Sequence, residues 1–147
     1  MNPDYTNSQI IVDLPQIKRN IELIQQHIGP EVGILFVAKS NGYGHGLVGP
    51  AKYIYEHCGV SMIATSMVSE AIQLREAGLD GYLFVMAGIP YSAIPAVIDY
   101  ELAVPAYDPE FLKRLSAAAQ AAGKMINVHI KIDTGLHRLG VSVGAQL

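Results

Sequence analysis

Apolar positions in this chain follow two rhythms, one repeating every three to four residues and the other made of short unbroken β-leaning runs. Ile17, Ile21, Ile24 and Ile28 are spaced by four, three and four, which predicts a first helix with one apolar stripe. Asp13 can cap that helix, and Gln16 three residues later completes a capping-box pattern. The run ILFVA (34–38) predicts a first strand, buried on both faces as in a parallel sheet. A helix over 50–57 closes at Gly59 in the C′ position, and 60–64 is the second strand. Ser66 or Ser69 can start the next helix, which ends at Gly78. Residues 82–86 predict a third strand, and the helix after it carries Ile94, Val97 and Ile98. A short fourth strand covers 102–104. Asp108-Pro109 pairs a cap with a proline in the first helical position, opening a helix through Phe111, Leu112 and Leu115 to Gly123. Residues 126–132 are the fifth strand.

The chain thus reads as five β-strands, each trailed by connecting structure, with short loops and no repeat or low-complexity linker. Parallel strands joined by right-handed helical crossovers are the natural solution. On pattern alone, the sheet is either an open doubly wound one or the first part of a (β/α)8 barrel. A full barrel needs about 250 residues, and this chain has 147. Five units leave the edges of the first and fifth strands unpaired.

Composition narrows the functional classes. Half the residues are hydrophobic and 16% are charged, as suits a domain with a buried sheet. A net charge of −3 argues against nucleic acid or an anionic membrane as the main partner. No apolar run reaches the roughly 18 residues of a membrane span. The start, MNPDYTNSQ, lacks the basic and apolar regions of a signal peptide, so a cytoplasmic location is expected. The single Cys58 excludes an intrachain disulfide and reads as a small core residue. No His, Cys and carboxylate cluster suggests a metal site.

The chemistry is concentrated where the first strand ends. ILFVA runs into Lys39, followed by Ser40-Asn41-Gly42-Tyr43-Gly44-His45-Gly46. A lysine there stands at the lip of the sheet, where α/β folds bind ligands. Burial lowers a lysine's pKa, so such an amine can act as a nucleophile or base near neutral pH. The glycines let the backbone approach a ligand and are expected to leave N–H groups free for an anion. A lysine beside an anion cradle suits an aldehyde cofactor that carries a phosphate, such as pyridoxal phosphate (PLP).

The string VAKSNGYGHG resembles the PLP-lysine segment of the alanine racemase family, VVKANAYGHG. A second stretch, KIDTGLHRLGV (131–141), resembles that family's K-[IVM]-D-T-G-M-x-R-L-G. Between them, SEAIQLREAG (69–78) resembles the family's EAxxLRxAG helix. The resemblance spans nearly all of this chain but only part of a family protein, so the chain is expected to be an amino-terminal piece of a longer one. It implies the N-terminal part of a PLP-binding TIM barrel, a homodimeric parent with a shared active site, and interconversion of L- and D-alanine for peptidoglycan. It implies roles as well. Lys39 would carry PLP through its amine and serve as one of two bases. Tyr43 would hydrogen-bond the cofactor phosphate, helped by nearby backbone, and Arg138 would donate to the phenolic oxygen of PLP. Lys131 matches a lysine that is often carbamylated in the family and then orients the arginine; Asp133 is an alternative partner for it. His137 receives no role, and His45 and His129 read as loop and core histidines.

The departures are Ser40 and Gly42, where the family usually has alanine. The arginine facing the pyridine nitrogen, most of the phosphate cup and the opposite-face tyrosine of the partner subunit are absent from these residues. A racemase needs a base on each face, and this chain supplies one, so alone it is expected to be inactive. The rival readings are a PLP-holding homeostasis protein of the same barrel type and a nucleotide-binding module using GYGHG as its anion loop. Within the racemases, serine and broad-specificity enzymes resemble these segments too.

Overall fold

The structure is a computed structural model and describes residues 8–142. Residues 1–7, most of the start MNPDYTNSQ, and residues 143–147 lie outside the described part. The elements alternate: α1 (Leu14–Ile28), β1 (Leu35–Val37), a short helical turn α2 (Lys39–Tyr43), α3 (Val48–His57), β2 (Met62–Thr65), α4 (Val68–Glu76), β3 (Tyr82–Val85), α5 (Ile94–Asp99), β4 (Val104–Ala106), α6 (Pro109–Ala121) and β5 (Val128–Ile130). Every strand pairing is parallel, β1 with β2, β2 with β3 and β4 with β5. A single bridge, Phe84 to Ala103, joins the two sheets, so the strands follow one another in chain order.

That order decides between the two architectures. A doubly wound sheet reverses its strand order at a switch point, and none occurs among the described strands. Successive helices pack on successive helices, α3 on α4, α4 on α5 and α5 on α6. This is the winding of a TIM barrel, of which the chain forms the N-terminal part. The core lies between the sheet and these helices. Ile63, Leu83, Val85 and Val104 point outward from the strands and pack against Leu74, Val97 and Leu115, all nearly inaccessible to water.

The break between β3 and β4 has a local cause. Ala103 donates to the Leu83 carbonyl and accepts from the Val85 amide. The next group facing β3 would be the amide of Pro105, which has no N–H. The β3–β4 ladder therefore stops at one bridge, while the β5 side continues through Val104 and Ala106. For the same reason β4 runs two residues later than predicted. Proline removes a donor on one side of the strand only.

Three expectations are corrected. β1 is not buried on both faces: Leu35 is exposed, and Phe36 and Val37 are half-buried. It has β2 on one side and, among the described residues, no strand on the other. The α1 stripe is narrower than its isoleucines suggest. Only Ile21 is buried, packing with Ile54 and Val60, while Ile24 faces solvent. Asp13 does cap α1 by accepting from the Gln16 amide at 2.8 Å. The Gln16 side chain instead bonds Arg19 and Asn20, so only half of the capping box forms.

Candidate active site

Lys39 follows Ala38, whose amide donates to the Ala64 carbonyl and extends the sheet by one residue. All the strands are parallel, so their C-terminal ends share one rim, and the loops after β1 and β5 both emerge there. The two motif segments therefore lie on the same side of the fold. Lys39 is half-buried, and its Nζ sits 5.7 Å from the centroid of the Tyr43 ring. Among the described residues it makes no ion pair.

The segment after Lys39 is a left-handed helical turn. Ser40, Asn41, Gly42 and Tyr43 all have φ between 52° and 60°. Left-handed backbone costs a non-glycine residue roughly 1–2 kcal/mol, so the surroundings must hold this turn in place. Asn41 is its hub. Its side-chain carbonyl oxygen accepts from the Leu47 amide at 2.9 Å, and its backbone carbonyl accepts from Gly44 and Gly46. Its own amide donates to Glu70 at 3.2 Å.

This geometry corrects the expected anion cradle. The amides of Asn41, Gly42, Gly44, His45, Gly46 and Leu47 all donate to groups of the protein itself. The glycines serve the hand of the backbone rather than freeing donors. His45 is a loop histidine, its Nδ1 2.9 Å from the Gly42 carbonyl. Tyr43, 61% exposed, projects into solvent at the rim, and Ser40 and Asn41 of the turn are exposed as well.

Glu70 is the buried carboxylate of the site, with 5% of its surface accessible. One oxygen takes the Asn41 amide; the other takes the Ser66 amide, the Ser66 hydroxyl and the Met67 amide at 3.1–3.2 Å. Burial pushes this carboxyl up, and the four hydrogen bonds outweigh that and hold it below the ordinary glutamate value. Ser66 thus helps to start α4 through Glu70, although Met67 is the capping residue. The sequence reading missed both Asn41 and Glu70. The available signals were an asparagine among glycines, a residue type tolerant of left-handed backbone, and a serine followed four residues later by glutamate.

Beyond β5, residues 131–141 form a loop stapled at its base. The Asp133 amide donates to the Val141 carbonyl, and the Val141 amide donates to the Lys131 carbonyl, both at 2.9 Å. Asp133 is not the partner of Lys131. One of its oxygens accepts from the Gly135 and His137 amides, and the other lies 3.2 Å from His137 Nδ1. Those bonds hold the Asp133 carboxyl below its usual range and give His137 a local structural role. Lys131 is half-buried and Arg138 exposed, and neither makes an ion pair among the described residues. His129, expected in the core, is exposed on the inward face of β5, where it stacks on Phe84 at 4.2 Å and its Nε2 lies 2.6 Å from the Tyr82 hydroxyl.

A cleft of about 550 Å³ runs along the free edge of β1, lined in part by Ile17, Phe36, Tyr43 and His45. Lys39 is not in its lining. The cleft is the space beside an unpaired strand, and Tyr43, which lines it, stands next to the lysine amine.

The sequence model of a family described as "Alanine racemase, N-terminal domain" matches residues 12–147. Alanine racemase 1 of Bacillus subtilis (strain 168) is 34% identical over 145 residues, covering 99% of this chain and 36% of that protein. The crystal structure of alanine racemase from D-cycloserine producing Streptomyces lavendulae superposes with a TM-score of 0.81 at 32% identity, over 88% of this chain and 34% of the other. The alanine racemase of Bacillus anthracis with bound L-Ala-P gives 0.80 at 29% identity, over 88% and 33%. The chain spans about a third of the length of these relatives.

Proposed function

Because this chain belongs to the alanine racemase family, we propose that its parent protein is a PLP-dependent racemase that interconverts L- and D-alanine. The observation that carries the reading is Lys39, a half-buried amine without an ion pair among the described residues, set at the rim by a turn of fixed hand. The residues present fit PLP. A primary amine suits the aldehyde, a phenol projects beside it, and an arginine without an ion pair among the described residues stands on the same rim.

When bound, PLP supplies a conjugated ring that takes up the charge left on the substrate's α-carbon. Lys39 holds the cofactor and moves the α-proton on one face of that carbon. Tyr43 donates its hydroxyl to the phosphate; the Asn41 and Gly42 amides of the turn give little help, since they are already engaged. Arg138 donates to the phenolic oxygen, a task suited to a cation with a planar fork of donors. Carbamylation of Lys131 would turn a half-buried cation into an anion able to orient that arginine, and its lack of an ion pair among the described residues supports this reading.

The opposite-face base is assigned to the partner subunit of a homodimer, and residues 1–147 by themselves are expected not to racemise alanine. Borohydride reduction of the PLP-incubated full-length protein, followed by peptide mass mapping, should place the adduct on Lys39. Conversion of L- to D-alanine should appear in the full-length protein and be lost in the isolated chain. An adduct on another lysine, or comparable turnover by residues 1–147, overturns the assignment.

A further inference from the structure

Glu70 stands where two structures meet, and the reaction proposed above makes no use of it. Its Oε2 gathers three donors at the start of α4, from the Ser66 amide, the Ser66 hydroxyl and the Met67 amide. Its Oε1 crosses to the loop after β1 and takes the Asn41 amide, 29 residues earlier in the chain. That amide lies two residues beyond Lys39, inside a turn of four positive φ angles, three of them on non-glycine residues for which they are unfavourable in isolation.

We propose that Glu70 is a positioning residue for Lys39: its carboxylate clamps the left-handed turn to the N-terminus of α4 and so fixes where the lysine amine stands. The inference rests on the reading of Lys39 as the PLP lysine and adds to it a residue that touches neither cofactor nor substrate.

Three facts support the clamp. Four donors converge on two oxygens, which only an ionised carboxylate can satisfy, since an amide has a single acceptor oxygen. The carboxylate is 5% accessible, so its hydrogen bonds meet little competition from water. Among the described residues, no other side chain bonds the backbone amides of the turn itself. The Asn41 side chain reaches forward to Leu47, beyond it.

The geometry also separates the two duties of Glu70. In Glu70→Gln, the remaining oxygen is best placed on the side with three donors, which keeps the start of α4. The amide nitrogen then faces the Asn41 N–H, donor against donor. Ser66→Ala is the matching control, because it removes one bond from Oε2 and leaves Asn41 untouched.

The test uses the full-length protein and two readouts. PLP trapping by borohydride at Lys39 should slow about tenfold in Glu70→Gln, the equivalent of one charge-assisted hydrogen bond, and stay near the parent rate in Ser66→Ala. Pulse acetylation of Lys39 without PLP, read against Lys52, should rise in Glu70→Gln alone. Equal behaviour of the two variants in both readouts would overturn the clamp. An unsubstituted protein that fails to trap PLP at Lys39 would refute the cofactor reading, while the acetylation ratio would still decide the positioning role. If Glu70→Gln does not fold, hydrogen exchange at the Asn41 amide of the unsubstituted protein decides: slow exchange supports the clamp, and exchange at the rate of a free amide overturns it.

Discussion

Arg75, at the far end of α4 from Glu70, should be a major support of the fold with no part in the chemistry. Its Nη1 donates to the Leu79 carbonyl at 2.5 Å and to the Gly81 carbonyl at 3.0 Å, and its Nε donates to Tyr100 at 3.2 Å. One guanidinium thus ties the end of α4, the approach to β3 and the end of α5. A hydrogen bond to a charged group contributes about 1.5–3 kcal/mol. Arg75 is only half-buried, so water can replace part of this in a truncated variant. Counting two of the three bonds at the lower figure gives about 3 kcal/mol for Arg75→Ala. Arg75→Lys should recover less than half, because an ammonium cannot span three carbonyls in the plane of a fork. Urea unfolding of the full-length protein, followed by circular dichroism, should show a lower midpoint at unchanged slope. PLP trapping at Lys39 should persist at the parent rate under native conditions. A loss below about 1 kcal/mol, or impaired trapping without lost stability, would refute this division between the two ends of α4.

Other expectations are more local. A Cβ at Gly140, where φ is +124°, would come within 2.6 Å of the Asp133 amide nitrogen; Gly140→Ala should therefore open the 131–141 loop and speed tryptic cleavage at Arg138, and an unchanged rate would argue against the stapled base. Glu70 has a folded pKa below the ordinary 4.5, so its contribution is complete above that value and lost as the pH falls through the folded one. The stability gap between the parent and Glu70→Gln should hold from neutrality to about pH 5 and shrink below it; a gap that widens on acidification would contradict the hydrogen-bond account. Arg138→Lys should weaken PLP binding and slow racemisation together, by roughly ten- to a hundred-fold for one charge-assisted bond, and unchanged affinity and kinetics would make Arg138 purely structural.

Features set by local chemistry were readable from the residues alone. Asp13 and Asp108 each accept from amides at a helix start, as their positions predict. Gly59, Gly78 and Gly123 each take positive φ after a helix. Ile94, Val97 and Ile98 are buried on one helix face. What stayed hidden depended on neighbours distant in sequence. The run 34–38 is apolar enough for a central strand, yet exposure depends on which strands flank it. The glycines of the Lys39 turn looked like freed donors, because nothing local reveals that Asn41 and Ala38 accept their amides. Glu70 and Arg75 sit in one recognisable helix motif, but that they act at opposite ends of it is a property of the packed fold.

The hand of the turn after Lys39 has a consequence in time. A right-handed helix can flicker into existence before the rest of a domain, because its own residues favour it. Four successive residues on the left-handed side have no such early form. They are held only once β2 has paired with β1 and α4 has brought Glu70 up to Asn41. The lysine's station is therefore among the last parts of this region to be assembled. Mutations in the turn should speed unfolding far more than they slow folding, with φ-values near zero. An amine that reaches its place only in the finished framework cannot recruit a cofactor to guide the chain there, so on the proposed reading of Lys39 as the PLP lysine, capture there should follow folding.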